Sequence, residues 1–291
     1  MQPEQYPLIT INPLLSFPDL GELPQPPKKL TMRGSLERVQ GTRLLAVVGS
    51  RNYSSYGKAM CESLIKGLAG YPVTIVSGLA LGIDSIAHRA ALDAGLNTIA
   101  FPGSGLNWSA LYPQNHKELA KDILNAGGAL LSEFENDLGG VYWAFPQRNR
   151  LIAGISLMTL VIEAEEKSGT LITARLATEY NKTVGTVPGA INTQTARGAN
   201  WLLKLGAVPV TETADILKEL GLIERSSADS TEYLLLNSEE ERIMHALSEP
   251  KTKDRIIEEL ELDAGQANIT FSTLEIKGAI KETLGLIERI L

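Results

Sequence analysis

Apolar residues fall along this chain in short continuous runs, separated by stretches with helical spacing. Leu44–Val48, Val73–Val76, Thr98–Phe101, Ala129–Leu131, Ser156–Ala164, Thr183–Val187 and Ala207–Val210 read as strands, and the near-continuous apolar run Ser156–Ala164 as one covered on both faces. Between them, Tyr56–Leu68, Asp84–Ala94, His116–Ala126, Leu171–Tyr180, Gly198–Leu205 and Thr213–Leu220 read as helices. Strands alternating with helices predict an α/β fold built on a doubly wound, mostly parallel sheet. Ligands on such sheets bind beyond the carboxyl ends of the strands. Those ends read GSR, SGLALG, PGSG, SE, EAEEKSGT and PG, so the small-residue loops collect on one edge.

The flanks behave differently. Residues 1–30 are rich in proline and predict an extended lead-in that packs in places through Tyr6, Leu14 and Phe17. Leu30–Gly34 reads as a short strand on a sheet edge, opening a main domain over residues 31–221. A Ser-containing linker is expected over 222–237. Residues 238–291 show helical spacing at Ile243/Leu247 and Ile256/Ile257/Leu260, with Thr252 as a cap, then a helix over Gln266–Ile276. A hairpin over Gly278–Leu291, turning at Leu284-Gly285, completes a small winged-helix-like unit.

Composition narrows the function. The 291 residues include one cysteine, Cys61, so neither a disulfide framework nor a thiolate metal cage is available, and a reducing cytoplasm fits. His88, His116 and His245 are scattered, which argues against a structural zinc. There is no 18-residue apolar run, and the start lacks the order of a signal peptide, so no membrane segment is expected. The net charge of −7 argues at first against a nucleic-acid ligand. Residues 41–226, however, carry 16 basic and 16 acidic side chains, while residues 227–291 carry 7 and 14. A neutral central domain can still hold a local basic groove. The acidic tail, whose candidate recognition helix has only Lys277 near its end, suits a protein partner better than DNA.

Candidate chemistry gathers between Trp143 and Gly189. Phe145-Pro146-Gln147-Arg148-Asn149-Arg150 is aromatic and basic, and Pro146 is expected to bend it so that ring and guanidinium groups are presented together. After the apolar strand, Ser168-Gly169-Thr170 opens a helix, a geometry that receives an anion on free N–H groups and the helix dipole. Pro188-Gly189 forms a second turn on the same edge. Gly49-Ser50-Arg51 and Gly78 occupy strand ends nearby, with Arg51 placing a cation above its turn. The same glycines and prolines would also serve simply to shape an ordinary α/β sheet. Gly49-Ser50-Arg51 is not a dinucleotide fingerprint, and no acidic residue ends the second strand, so a nicotinamide cofactor is not expected. Asp84 and His88 stand at i and i+4 but lack a third ligand, and read as a helix-start carboxylate and a packed or surface histidine. Glu133 and Glu163 end buried strands, as general acid/base groups or as partners for Arg148 and Arg150. No nucleophile arrangement is supported, and no cofactor or metal is implied.

AVVGSR (46–51), IVSGLALGIDSIAHRAAL (75–92), LLSE (130–133), FPQRNRLIAGIS (145–156), SGTLITARLA (168–177), VPGAI (187–191) and RGANWLLKLGA (197–207) closely resemble the DNA-processing protein A family, DprA/Smf. The likeness covers roughly residues 30–220. It implies an extended Rossmann-like domain that binds single-stranded DNA without hydrolysing it, protects DNA during natural transformation, helps load the RecA recombinase and forms homodimers. It also implies that Gly49, Ser50 and Arg51 form a phosphate-binding loop, and that Phe145, Arg148 and Arg150 wall the DNA pocket. Gly78, Asn149, Ser168, Gly169, Thr170 and Gly189 complete the candidate contacts. The helical N-terminal domain common in the family is not expected within the first 30 residues. His116 stands where the family's Tyr-Pro-x-x-Asn block would lead one to expect asparagine. The competing expectation is an enzyme similar to nucleoside-monophosphate phosphoribohydrolases, using Glu133 or Glu163 at the ribose. Of that group's Pro-Gly-Gly-x-Gly-Thr motif, only Ser168-Gly169-Thr170 is recovered.

Overall fold

The computed structural model describes residues 5–223, 236–247, 249–277, 279–283 and 285–289. By internal contacts the chain divides into two compact units, Met1–Ile223 and Glu224–Leu291.

The larger unit is an α/β domain on a nine-stranded sheet in the order β1-β2-β6-β5-β4-β3-β7-β8-β9. The strands are β1 (Ile9–Ile11), β2 (Leu30–Gly34), β3 (Arg43–Val48), β4 (Val73–Ser77), β5 (Asn97–Ala100), β6 (Ala129–Ser132), β7 (Met158–Val161), β8 (Thr183–Thr186) and β9 (Val208–Pro209). From β6 to β9 all pairings are parallel, with Leu45 beside Met158 and Val48 beside Val161 across the central pair. The chain winds outward from β3 through β4 and β5 to β6, then returns to β7 on the other side of β3 and winds the opposite way. The switch point therefore lies between β3 and β7, where two neighbouring strand ends diverge and open a crevice.

The apolar runs follow from the two covered faces. Leu45 and Val47 of β3 pack with Cys61, Leu64 and Ile65 of the helix Ser55–Gly67 and with Ile86 and Ala87 of the helix Ile83–Asp93. Ala46 and Val48 point the other way, into a cluster with Leu151, Ile152 and Ile155 of the helix Ala144–Ile155 and Ala174 and Ala177 of the helix Gly169–Glu179. Successive residues Leu45–Val48 are thus apolar whichever face they point to.

Three expectations need correction. Leu30–Gly34 is not the edge: β1, within the proline-rich lead-in, pairs antiparallel outside it, and β2 itself runs antiparallel to β6. The lead-in does anchor through Phe17, but Leu14 is exposed, and Leu20 and Leu23 are buried in its place. Phe145–Arg150 is not a bend. It forms the first turns of the helix Ala144–Ile155, because Pro146 at its third position has no N–H to place and meets no preceding turn.

The smaller unit holds helices Ser238–Ala246, Lys253–Leu260 and Ala264–Ile276 and the paired strands Ile280–Thr283 and Leu286–Arg289, around Ile243, Ile256, Phe271, Leu274 and Ile287. Thr252 accepts from the Arg255 N–H and caps its helix. Of the expected linker, residues 224–235 lie outside the described residues, as does Leu284 of the expected hairpin turn.

Candidate nucleic-acid interface

At the β3/β7 switch point lies a cavity of about 360 Å³. The loop after β3 supplies Gly49, Ser50, Arg51 and Asn52; the helix Ala144–Ile155 supplies Phe145, Arg148 and Asn149; the turn after β7 supplies Ser168, Gly169 and Thr170. Nine of the candidate residues therefore meet in one hollow. Gly78 lies next to it, in a small recess shared with Arg51, Tyr112 and Phe145.

Arg51 is exposed and sits over the Phe145 ring at 5.2 Å, a cation–π contact that leaves its donors free. Among the described residues it makes no ion pair, with Glu163 or any other carboxylate. The loop beneath it is shaped by Ser50, whose hydroxyl donates to Asn52 O at 2.8 Å and accepts from Asn52 N at 3.1 Å. Ser50 is thus engaged within its own loop.

Arg148 is different, being 4% exposed. It donates from Nη1 to Phe101 O, and its buried Nε meets no acceptor among the described residues. Burial pushes its guanidinium down to about 10, with Asp84 opposing that fall and the positive charge of Arg51 adding to it. It remains charged at neutral pH. Two cations thus face one hollow, an arrangement that an anion would relieve.

Asp84 is the residue that sequence reasoning underrated. It is buried, lines the cavity and accepts from Gly78 N at 3.0 Å and Ala80 N at 3.4 Å. Burial raises its carboxyl, while Arg148 and these N–H groups oppose the rise. Gly78 is required there because a Cβ would strike both Arg148 Nη1 and the Asp84 carboxylate. The signal was available: an acid at a helix start on the ligand edge. His88, by contrast, is packed, with Nδ1 bonded to Thr98 Oγ1 at 2.7 Å, and burial lowers its pKa to about 3. His116, in the Tyr-Pro block, bonds Leu79 O at 2.8 Å and is buried.

Other candidates stand apart from the cavity. Arg150 pairs with Glu133, the two side chains being 12% and 10% exposed. Burial raises the Glu133 carboxyl and Arg150 opposes that rise. Glu163 accepts from Ser54 N at 2.8 Å, Ser54 Oγ at 2.6 Å and Thr195 Oγ1 at 2.9 Å, which ties the start of the helix Ser55–Gly67 to the end of β7. Neither glutamate lines the hollow. Gly189 is also elsewhere, its N–H taken by Asn200 Oδ1 at 3.1 Å. At Ser168-Gly169-Thr170 the serine hydroxyl already accepts from Thr170 N at 3.1 Å, so this turn has less to give an anion than expected.

A larger hollow, about 1260 Å³, lies on the other flank beside Leu171, Trp201, Leu205 and Val208. Three of its four lining cations are paired, Arg175 with Glu179 at 3.3 Å, Lys182 with Asp19 at 2.5 Å and Arg197 with Glu166 at 3.7 Å, while Lys204 makes no ion pair among the described residues. Size alone does not make it the anion site. Among the described residues no group of three His, Cys, Asp or Glu could hold a metal, and no helix is long and apolar enough to cross a membrane.

Comparison with known proteins places this geometry. Residues 4–221 match the family described as DNA recombination-mediator protein A. Protein Smf of Escherichia coli (strain K12) is 44% identical over 194 residues, 67% of this chain and 51% of that protein. The chain thus matches about half the length of the E. coli relative. The DNA processing protein DprA of Streptococcus pneumoniae is 39% identical over 201 residues, 69% of this chain and 70% of that one. Its X-ray structure superposes with a TM-score of 0.67 at 36% identity, covering 74% of this chain and 75% of that one. A structure of DNA processing protein A from Helicobacter pylori, described for its single-stranded DNA binding mode, gives 0.66 at 31% identity, covering 74% and 96%.

Proposed function

The chain belongs to the DNA recombination-mediator protein A family, and from that premise we propose that it binds single-stranded DNA without cleaving it. The observation that carries this reading is the unpaired Arg51, set over the Phe145 ring beside the buried cation Arg148 in one hollow. A phosphate there meets a directed charge-assisted bond, while an aromatic face accepts any base without reading sequence. The Helicobacter relative, described for single-stranded DNA binding, supports the choice of ligand.

Catalysis is not part of the proposal. Both strand-end glutamates that a phosphoribohydrolase would call upon are engaged away from the hollow, Glu133 by Arg150 and Glu163 by Ser54 and Thr195. In the cell we assign the protein to DNA processing during natural transformation and recombination, in the cytoplasm, where it protects incoming strands, hands them to the RecA recombinase and works as a homodimer. These finer roles rest on the family. The smaller unit, with helices followed by a two-stranded hairpin, is read as winged-helix-like and as a protein-binding rather than DNA-binding module.

A gel-shift comparison of single- and double-stranded DNA at one stated salt concentration tests the core of this reading. Preference for the single strand, with weak dependence on sequence, is expected. Equal affinity for both forms would sink it, and release of a free base from a nucleoside monophosphate would replace it with the enzymatic reading.

A further inference from the structure

Beyond the hollow, aromatic rings continue along the same edge of the sheet. Tyr112, in the loop after β5, is 40% exposed, and its ring lies 5.8 Å from that of Phe145. Trp143, one residue before the helix that carries Phe145, is 57% exposed. Its ring stands nearly perpendicular to that of Phe134, at 5.6 Å and 83°. In each pair the less exposed ring holds the more exposed one in place. Gly140 adds to this, since a Cβ there would strike the Tyr112 ring.

Such rings are held rigidly yet left in water, which costs hydrophobic surface that a ligand face would cover. Chemistry selects that ligand. The loop Glu133–Trp143 contains neither lysine nor arginine, so what it offers a ligand is its rings rather than a charge-assisted phosphate contact. Two nearby cations are already taken up by this loop, Lys29 by Glu135 at 2.8 Å and Arg150 by Glu133. Flat uncharged faces without phosphate contacts suit unpaired bases. The opposite flank has Trp201 as well, but among the described residues that ring meets no other aromatic ring, and it is not continuous with Phe145.

We propose that Tyr112 and Trp143 are further base-stacking platforms, so that a single strand anchored at Arg51 runs from the β3/β7 switch point across the ends of β4, β5 and β6. This inference rests on the single-strand reading above and adds a direction and two contact residues to it.

The full-length protein, titrated with oligothymidylate and with the same strand carrying abasic positions, provides the test. Tryptophan emission should be quenched on binding, and Trp143→Phe should remove most of that quench, although Trp108 and Trp201 remain. Trp143→Ala and Tyr112→Ala should each weaken binding about 5- to 150-fold, the loss of one stacked base. The slope of log K against log salt should not change, because no phosphate contact is lost. Abasic positions should weaken binding by the wild type more than by Trp143→Ala. Trp143→Phe keeps an aromatic face and should bind nearly as wild type, which covers the case of an alanine variant that does not fold. Unchanged affinity in folded Trp143→Ala, alongside weakened Arg51→Ala, overturns the platform while leaving the single-strand reading intact. A change in molecular mass of Trp143→Ala with unchanged DNA binding also overturns it, and assigns the rings to a contact between copies. A wild type that binds no single strand overturns both readings.

Discussion

In the smaller unit Lys251 meets Glu259 at 2.8 Å, Lys253 meets Glu282 at 2.6 Å and Lys277 meets Glu240 at 2.7 Å. In the larger unit Arg51 meets only the face of Phe145. The first region has cations, yet each of these three is answered by a nearby carboxylate. The second is neutral by count, yet at its cavity keeps the exposed Arg51 guanidinium without a counter-charge beside the buried Arg148. The difference teaches that attraction for an anion follows from which cations are left unpaired, and that a segment's net charge hides this. Arg150 makes the same point within the larger unit, because its Glu133 partner takes it out of the site.

The largest effect tests what pairing does. Glu133→Ala strands Arg150 in a site that is nearly closed to water, and breaking a buried pair costs about 3–5 kcal/mol. The melting temperature of the larger unit should fall by about 10 °C, while the salt slope of DNA binding stays as in wild type. A changed slope would bring Arg150 back into the DNA site.

Next comes Arg51→Ala. A hydrogen bond to a charged group is worth about 1.5–3 kcal/mol, so single-strand affinity should fall about 10- to 150-fold. The salt slope should become shallower by about 0.7, and the melting temperature should hold. A lower melting point with an unchanged slope would make Arg51 a structural residue and erase the contrast between the units. The smallest effect is expected from residues 227–291 alone, which should give no gel shift with DNA at moderate salt. A shift there would break the comparison at its other end.

Much of this was legible before any coordinates. Runs such as Ser156–Ala164 marked the strands because both faces of a parallel sheet are covered, and the small-residue loops marked the ligand edge because such sheets bind there. What could not be read was which side chains far apart in the chain meet: Glu133 and Glu163 were open partners for Arg148 and Arg150, and only the fold selects Glu133 with Arg150. Arg150 and Glu133 stand 17 positions apart, and Gly189 gives its N–H to Asn200. No local pattern records either contact. Pro146 misled for a physical reason: the first turn of a helix has no use for the N–H that proline lacks, so a residue that breaks helices can also begin one. Asp84 was undervalued because it read as an ordinary helix-start carboxylate, with no partner in sight. Its real partners are the N–H groups of Gly78 and Ala80 and the guanidinium of Arg148, all brought to it by tertiary folding.

The sheet also ends in a particular way. At one side is β1, three residues long; at the other is β9, two residues long, and one of them is Pro209. Long open edges invite strands from neighbouring molecules to dock and polymerise, and short or proline-bearing edges discourage it. If the proposed single-strand binding places several copies on one strand, their edges are brought close together. With such edges the copies can stand side by side without their sheets fusing, so crowding there need not end in aggregation.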